Sequence, residues 1–275
     1  MHNRELATAR AQFESDGFYI CAQPVIPDDL IQRAIAGMDA VRFGHYETGL
    51  PPHKCYWKPG DDPQKLGKID VPQGSNQAIM DLFTHPAIAE LAAAITGAKW
   101  IQAWWGQLLY KPPLARNTEG GQNIGWHQDA QYWKDWEAGS ELFTAWVALS
   151  NVTPDAGPMK LVRGSNKWGL LDQGFFYEQD LEALRGGIAI PPGQTWEEVE
   201  VILPPGGVSF HHNLTYHGSG PNRSAEPRRS FAIHMRTEKS SPATRSKEGH
   251  MAYIDNPAYC PTIYRREQKP EPSVP

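Results

Sequence analysis

The feature that most constrains the fold is a change of pattern at Trp100. From there to Thr237 the chain consists of short β-prone runs separated by Gly, Pro and Asn residues: WIQAWWGQLLY, LFTAWVALSNV, GPMKLVRGS, EEVEVILPPGGVSFHH and RRSFAIHMRT. Many short strands with turns between them are typical of two packed antiparallel sheets. We therefore predict a mainly β fold, with a jelly roll as the expected form of its core.

The part of the chain before this change shows a helical pattern. In residues 27–44 apolar side chains recur at steps of three and four, with Asp28 or Asp29 as the expected N-cap. Residues 85–98 follow the same pattern and have their expected stop at Gly97. A chain of this length is compatible with one elaborated β domain. We predict a single domain over residues 1–275, made of a helical flanking region (1–99), a jelly-roll core (100–240) and a C-terminal extension (241–275).

Composition and charge argue against several classes of function. The net charge is -5 and the pI is about 6.1, and no block of like charges occurs, so a nucleic-acid partner is not expected. The three cysteines, Cys21, Cys55 and Cys260, are far apart, which favours reduced thiols over disulfides. No continuous apolar run has the length of a membrane span, and the start has no export-signal pattern. We expect a cytoplasmic protein that acts on a small molecule without a membrane partner; nothing in the sequence predicts its oligomeric state.

The stretch GWHQDAQYW, residues 125–133, contains a candidate metal site. Side chains at i and i+2 of an extended strand lie on the same face, so His127 and Asp129 reach toward one point while Gln128 points away. The chain has ten histidines, so this pair alone is weak support and a third ligand is required. Two histidines and a carboxylate form the facial arrangement of non-haem Fe(II) oxygenases, and zinc with a bound water is the alternative. Three histidines further along the chain are available as the third ligand: His211, His212 and His217.

An arginine at the start of the run RRSFAIHMRT is a candidate anion-binding residue. Alternation along a strand places Arg228 on one face together with the small residues Ser230 and Ala232. A guanidinium group with room beside it suits bidentate binding of a carboxylate. His234 lies on the same face and is a further candidate for the wall of the site.

Several motifs occur together in an order and spacing that resemble one known family. WHQD is followed by AWVAL, GPMKLVRGSN, HGSGPNRS and RR, and the pattern covers roughly residues 68–237. The chain thereby resembles the phytanoyl-CoA dioxygenase (PhyH) family of Fe(II)- and 2-oxoglutarate-dependent oxygenases. The resemblance implies a double-stranded β-helix, a cupin-like variant of the jelly roll, with helices at its N-terminus.

The resemblance also implies the residues of the site. His127, Asp129 and His217 would bind Fe(II). Arg228 would hold the distal carboxylate of 2-oxoglutarate, with help from the hydroxyl group of Ser219. Four more residues complete the set of candidate cofactor-binding residues: Trp146, Gln107, Lys68 and Gln128.

The activity implied by the resemblance is an oxidation that uses O2. The cofactors would be Fe(II), 2-oxoglutarate as co-substrate and O2, and the products would be succinate, CO2 and a hydroxylated small molecule. Because Asp129 keeps the carboxylate that related halogenases lack, hydroxylation is favoured over halogenation. Desaturation, epoxidation or cyclisation at the same iron site is an alternative, and so is a zinc-dependent non-redox jelly-roll enzyme.

The substrate is predicted only by its class. Residues 44–64 and 172–187 are the expected entrance loops, and they contain no basic cluster that would hold the phosphates of coenzyme A. We therefore expect a free small molecule, with an acyl-CoA and then a carrier-linked molecule as the alternatives.

Overall fold

The computed structural model describes residues 3–114, 121–244 and 248–266. Within these ranges the chain forms helices and two antiparallel β-sheets. The α-helices are α1 (Asn3–Asp16), α2 (Asp28–Arg42), α3 (Gln77–Phe83), α4 (Pro86–Thr96) and α5 (Leu181–Gly187). The strands are β1 (Phe18–Cys21), β2 (Lys54–Cys55), β3 (Gly67–Asp70), β4 (Trp100–Lys111), β5 (Ile124–His127), β6 (Leu142–Ala148), β7 (Met159–Val162), β8 (Glu198–Glu200), β9 (Val208–His212), β10 (His217–Ser219), β11 (Arg228–Thr237) and β12 (Thr262–Arg265).

The strands form a large and a small sheet. The large, eight-stranded sheet has the order β1-β9-β6-β11-β4-β3-β2, and β12 also pairs with β4. The small, four-stranded sheet has the order β5-β10-β7-β8. The pairs at the centre of both sheets are antiparallel, including β11 with β4 and β6, and β10 with β5 and β7. The predicted mainly β fold with flanking helices is confirmed.

The two faces of the large sheet bury different partners. Phe231, Ile233 and Met235 of β11 pack with the helices in one apolar core. Ala232, on the opposite face, packs with Leu161 of the small sheet in a second core. Because successive side chains of a strand alternate between its faces, β11 contributes to both cores. The second face therefore lies between the two sheets, and it also carries the polar side chains of the site.

The helix boundaries follow the predicted pattern, except for the N-cap of α2. Gly97 ends α4 in the left-handed conformation, with φ of 70°, as expected for a C-terminal glycine. The N-cap of α2 is Pro27, which has extended backbone, and not Asp28 or Asp29. The two carboxylates lie instead in the first turn, where they interact favourably with the positive end of the helix dipole.

The flanking regions contribute more strands than expected. β1 and β3, which precede Trp100, pair with β9 and β4 of the large sheet. β12, in the predicted C-terminal extension, also pairs with β4; residues 245–247 and 267–275 of that extension lie outside the described ranges. Each of these three strands is only four residues long, so their partners stabilise them more than their own periodicity does. The expected boundaries at residues 99 and 240 therefore do not enclose the whole sheet.

Residues 77–96 are long and apolar enough, by length and composition, to cross a membrane. In the structure this stretch is divided into α3 and α4 at Thr84 and His85. The His85 ring caps α4, because its Nδ1 accepts a hydrogen bond from the Ala87 amide at 3.3 Å. More than half of the stretch (56%) is buried, and Leu82 belongs to the core between the helices and the large sheet. This is the packing expected of core helices.

Helix α1 packs against the end of β9 through His212. The His212 ring centroid lies 6.5 Å from that of Phe13, and its Nδ1 accepts a hydrogen bond from the Leu214 amide at 3.1 Å. Burial lowers the pKa of His212 from 6.5 to about 4. Between these two values the unfolded chain binds a proton at this residue and the folded protein does not, so acid destabilises the fold.

We expect this histidine to make a measurable contribution to acid sensitivity. Wild type should lose about 1–2 kcal/mol of unfolding free energy relative to His212→Gln between pH 7 and pH 5. Urea unfolding of the metal-free proteins at both pH values measures the difference. A difference that is the same at both pH values would contradict the burial of a neutral imidazole here.

Candidate functional site

Three side chains from neighbouring segments of the small sheet meet at one point. His127 ends β5 and His217 begins β10, and the two residues are direct partners in the antiparallel pair. Asp129 follows an extended Gln128 and begins a 3-10 turn. The Nε2 atoms of His127 and His217 lie 3.8 and 3.6 Å from Oδ1 of Asp129. One ligand atom from each residue lies within 4.8 Å of the others, and all three residues are buried, so the structure brings the implied ligand set together.

The two imidazoles are oriented for metal binding. Nδ1 of His127 donates to the Gly125 carbonyl at 2.7 Å, and Nδ1 of His217 donates to the Thr215 carbonyl at 3.0 Å. These bonds place the proton on Nδ1 and leave the Nε2 lone pairs for a metal ion. Burial lowers the pKa of both histidines, which keeps the rings neutral. Two neutral imidazoles and one carboxylate are a donor set that fits Fe(II).

The Asp129 carboxylate is held by a chain of hydrogen bonds. Its Oδ2 accepts from Oγ1 of Thr144 at 3.0 Å and lies 3.3 Å from Nε2 of His211. Thr144 in turn contacts Nδ1 of His234 at 2.8 Å. Burial would raise the pKa of Asp129, but His217 and the hydrogen bond from His211 outweigh it and hold this pKa well below its usual value. Asp129 is therefore a charged carboxylate whose Oδ1 is directed at the two ligand histidines.

We expect Thr144→Val to weaken metal binding without unfolding the protein. Valine has nearly the same shape but cannot donate to Asp129, and such outer contacts of metal ligands are typically worth about 10–100-fold in affinity. Anaerobic Fe(II) titrations of wild type and variant measure the loss. Thr144→Ser, which keeps the hydroxyl group, is the control and should bind as wild type does. Equal affinities for all three proteins would contradict this role of Thr144.

The three residues open into a cavity of about 290 Å³ between the sheets. Arg228 lies in its wall and is only 1% exposed. Its Nε and Nη2 atoms are buried and have no hydrogen-bond partner among the described residues, and its guanidinium carbon lies 5.4 Å from the Trp146 ring centroid. Burial lowers the pKa of Arg228 to about 9, which leaves the group charged at neutral pH. A buried cation with unpaired donors requires an anionic ligand, and a carboxylate satisfies it.

The remaining candidate co-substrate residues differ in their position in the cavity and in their contacts. Ser219 and Trp146 line the cavity near Arg228. Lys68 and Gln107 line it further out, where both contact Asp70: Nζ of Lys68 lies 3.6 Å from Oδ1, and Nε2 of Gln107 donates to the same oxygen at 3.0 Å. These two residues are therefore engaged with a carboxylate of the protein and not, like Arg228, left with unpaired donors.

Gln128 does not face the cavity. Its Nε2 donates to the carbonyls of Gly169 and Leu214 at 2.8 and 2.7 Å, and its Oε1 accepts from the Leu171 amide at 2.9 Å. The alternation that turns His127 and Asp129 inward turns this residue away, as the strand geometry requires. The assignment of Gln128 to the cofactor-binding set is therefore corrected: its side chain holds neighbouring loop backbone in place.

The segment of residues 172–177 covers one side of the site. Phe175 and Phe176 are hydrogen-bonded to the backbone of β5, and the Phe176 ring centroid lies 5.2 Å from that of His127. The Tyr132 hydroxyl accepts from the Phe176 amide at 2.9 Å. This segment is the first part of the predicted entrance loop of residues 172–187, and its Phe176 ring shields the ligand His127 from water.

Gly125 lies where this covering segment approaches β5 closely. A Cβ atom at residue 125 would overlap the Phe175 carbonyl oxygen. We expect Gly125→Ala to cost about 1–3 kcal/mol of unfolding free energy, because the covering segment must move. Urea unfolding tests the stability, and amide exchange of residues 172–177 tests the displacement. Gly186→Ala is the control, since a Cβ there meets nothing within 4 Å; equal behaviour of both variants would contradict the close contact.

Two residues that shape the site were not among the sequence candidates. Thr144 shares its strand face with Trp146, and Asp70 shares its strand face with Lys68. Alternation along the strands therefore placed both near the cavity. Their function depends on partners in other strands, which alternation does not identify.

Comparison with known proteins agrees with this geometry. A sequence model described as phytanoyl-CoA dioxygenase (PhyH) matches residues 13–230, which is most of the chain. The chain belongs to the phytanoyl-CoA dioxygenase family. The family predicted from the sequence motifs is thus confirmed.

Relatives in the family are distant. The chain is 23% identical over 247 residues to the peroxisomal phytanoyl-CoA dioxygenase of Mus musculus, covering 86% of this chain and 70% of that protein. It is 27% identical over 183 residues to a probable alpha-ketoglutarate-dependent hypophosphite dioxygenase of Stutzerimonas stutzeri, covering 64% of this chain. It spans only 59% of that relative and 65% of the dioxygenase cdmD of Talaromyces verruculosus.

Solved structures share the fold. The epimerase SnoN from nogalamycin biosynthesis, in complex with Fe3+, alpha-ketoglutarate and nogalamycin RO, superposes with a TM-score of 0.68 at 22% identity, covering 88% of each chain. The carbocyclase SnoK from the same biosynthesis gives a TM-score of 0.68 at 19% identity, covering 95% of this chain and 93% of that one. The predicted jelly-roll core is confirmed. SnoN was solved with Fe3+ and alpha-ketoglutarate, and in this chain the donor set of His127, Asp129 and His217 fits the iron of the predicted cofactor set.

Proposed function

We propose that this member of the phytanoyl-CoA dioxygenase family is an Fe(II)- and 2-oxoglutarate-dependent dioxygenase that hydroxylates a small molecule. One observation carries the proposal. The same buried cavity contains the ligand set of His127, Asp129 and His217 and the unpaired guanidinium donors of Arg228. Neither the metal-ligand set nor the buried arginine would indicate this function by itself, because each occurs without the other in many proteins.

The residues of the chain divide the work. His127, Asp129 and His217 would hold the iron ion on one side and leave its other side open to the cavity. Arg228 would bind the distal carboxylate of 2-oxoglutarate and so fix the direction from which its keto-acid end reaches the metal. When bound, Fe(II) and 2-oxoglutarate supply the activation of O2 that oxidises the substrate, with release of succinate and CO2. Phe176 covers the ligands and limits the access of water.

We propose an uncharged molecule with a flat or ring-shaped face as the substrate. The outer cavity is lined by the rings of Tyr56, Tyr132, Phe176 and Tyr177. Lys68 is the only lysine among the lining residues, and it lies beside Asp70, so their charges offset each other. A cavity of this size, with aromatic walls in addition to the metal ligands and Arg228, suits a free small molecule. The phosphates of coenzyme A would need a cluster of basic side chains, which the described cavity lining lacks.

A zinc-dependent, non-redox enzyme is the main rival for the same triad. It would have no use for a buried arginine whose donors are unpaired. The oxidative alternatives of desaturation, epoxidation and cyclisation share the whole site with hydroxylation, and SnoN and SnoK are named as an epimerase and a carbocyclase. Hydroxylation and epoxidation place one oxygen atom of O2 in the product, whereas desaturation and cyclisation do not.

The decisive experiment is a turnover assay with anaerobically purified protein. Fe(II), 2-oxoglutarate and O2 are added with a panel of uncharged ring compounds, and succinate is measured. We expect succinate with Fe(II) and none with Zn(II), and one oxygen-18 atom from labelled O2 in the product of hydroxylation. Absence of succinate under all conditions, including without a substrate, would contradict the proposal. A product without the label would favour cyclisation or desaturation instead.

A further inference from the structure

Lys111, the last residue of β4, is fully buried beside the proposed co-substrate site. It is 0% exposed, and it is the direct cross-strand partner of Arg228. Burial and the neighbouring guanidinium lower the pKa of Lys111 well below its ordinary value. Two adjacent buried cations cost free energy, so a lysine at this place calls for a specific reason.

The side-chain hydrogen bonds of Lys111 are made at the end of β10. Its Nζ lies 2.6 Å from Oγ of Ser219, 3.4 Å from the carbonyl oxygen of Ser219 and 2.5 Å from the carbonyl oxygen of Gly220. The Nζ group thus faces three neutral oxygens, and none of these contacts is to a carboxylate. Lys111 does not line the cavity, so it has no direct contact with a ligand there. Any effect on the site passes through Ser219, which does line the cavity.

The contact with Lys111 fixes the orientation of the Ser219 hydroxyl group. One lone pair of its oxygen accepts from Lys111, and among the described residues its own hydrogen is donated to no group. A hydroxyl has one donor hydrogen, which stays available on the cavity side. Nε and Nη2 of Arg228, which also lines the cavity, are further unpaired donors. A carboxylate accepts several hydrogen bonds and suits this set of donors.

We propose that Lys111 is a positioning residue for 2-oxoglutarate: by donating to Oγ of Ser219, it turns the serine hydroxyl into a donor for the distal carboxylate that Arg228 binds. This inference rests on the proposed function. Lys111, a residue outside the cavity, would then contribute to the preference for a co-substrate with two carboxylates. The same bonds tie β4 to the end of β10, the strand that begins with the ligand His217.

The test compares two ligands that differ only at the distal end. Calorimetry on the Ni(II)-loaded protein gives dissociation constants for 2-oxoglutarate and for 2-oxovalerate, which has the same chain length but no second carboxylate. We expect Lys111→Met to lower the preference for 2-oxoglutarate by about tenfold, which corresponds to about 1.4 kcal/mol. Lys160→Met is the matched control, because Lys160 lies on β7 and is paired with Glu198 outside the cavity; it should keep the wild-type preference.

A double variant tests whether the effect passes through Ser219. If it does, Lys111→Met/Ser219→Ala should show the same preference as Ser219→Ala alone. Fully additive losses would overturn the proposal, and so would a Lys111→Met protein with the wild-type preference. Should Lys111→Met fail to fold, Lys111→Gln, whose shorter side chain withdraws the donor from Ser219, takes its place. In either case an unchanged preference in Ser219→Ala overturns the inference.

The wild-type protein separates this inference from the proposed function. If wild type shows no preference for 2-oxoglutarate over 2-oxovalerate, the proposed co-substrate site itself is wrong. If wild type shows the preference and the lysine variants keep it, only the role of Lys111 is wrong.

Discussion

Replacing His217 with alanine is expected to lower the turnover of 2-oxoglutarate by more than about 100-fold, because the loss of a ligand exceeds the 10–100-fold cost of losing a partner behind a ligand. The remaining His127 and Asp129 would hold the metal ion by two protein atoms in place of three. Anaerobic Fe(II) titration should show the same loss in affinity, which places the defect in metal binding. Succinate formation measured at saturating 2-oxoglutarate gives the rate.

The control is a histidine that lies away from the cavity. His45 is exposed, so His45→Ala should retain both iron binding and turnover. Retention of tight iron binding by His217→Ala would contradict the assignment of the triad. Thermal unfolding of the metal-free variants shows whether the replacement of a buried ring has also destabilised the fold, which would be a separate effect.

Replacing Arg228 with alanine is expected to raise the dissociation constant of 2-oxoglutarate by at least about 30-fold, the lower end of the roughly 2–5 kcal/mol that the truncation of a buried charged partner costs. The affinity for Fe(II) should change little, since Arg228 is not a ligand. Arg228→Lys should recover only part of the loss, because an ammonium group cannot bind a carboxylate in the bidentate manner of a guanidinium. Calorimetry with the Ni(II)-loaded proteins measures the dissociation constant of 2-oxoglutarate for wild type, Arg228→Ala and Arg228→Lys.

Arg229, the next residue in the sequence, is the matched control for the Arg228 variants. Arg229 points to the other face of β11, where its Nη2 donates to the Asp39 carboxylate at 3.0 Å. Arg229→Ala should therefore bind 2-oxoglutarate as wild type does, although it loses an ion pair. A loss of affinity that is equal in Arg228→Ala and Arg229→Ala would mean that general positive charge, and not the guanidinium inside the cavity, attracts the co-substrate.

The sequence was most informative where chemistry depends on alternation along one strand. His127 and Asp129 share a face because they are two residues apart, and Arg228 shares a face with Ala232 and His234 for the same reason. The same rule, applied fully, turns Gln128 away from the cavity. A contact of Gln128 with the co-substrate would go against the geometry of its own strand.

The sequence was least informative where a contact depends on the register between strands. Lys111 becomes important only because β4 and β11 pair so that it lies opposite Arg228. Thr144 becomes important because β6 pairs with β11 so that it lies opposite His234. Register is set by the packing of the whole sheet, and no motif within a single strand reveals it. The short strands β1 and β3 escaped prediction for the same reason.

Three expectations concern properties beyond the fold and the site. The cytoplasmic location and the lack of nucleic-acid and membrane partners stay predictions from composition. The uncharged substrate is a proposal from the cavity wall. Extending the turnover assay to charged ring compounds tests the last of these most directly, since they should give less succinate than the uncharged ones.

The most direct test of the account is a crystal structure of the protein grown anaerobically with Fe(II) and 2-oxoglutarate, with anomalous diffraction recorded at the iron edge. The account predicts one iron peak bound by Nε2 of His127, Nε2 of His217 and a carboxylate oxygen of Asp129. It also predicts the distal carboxylate of 2-oxoglutarate against Arg228 and the hydroxyl group of Ser219. An iron ion bound elsewhere, or 2-oxoglutarate absent from Arg228 while iron is present at the triad, would contradict it.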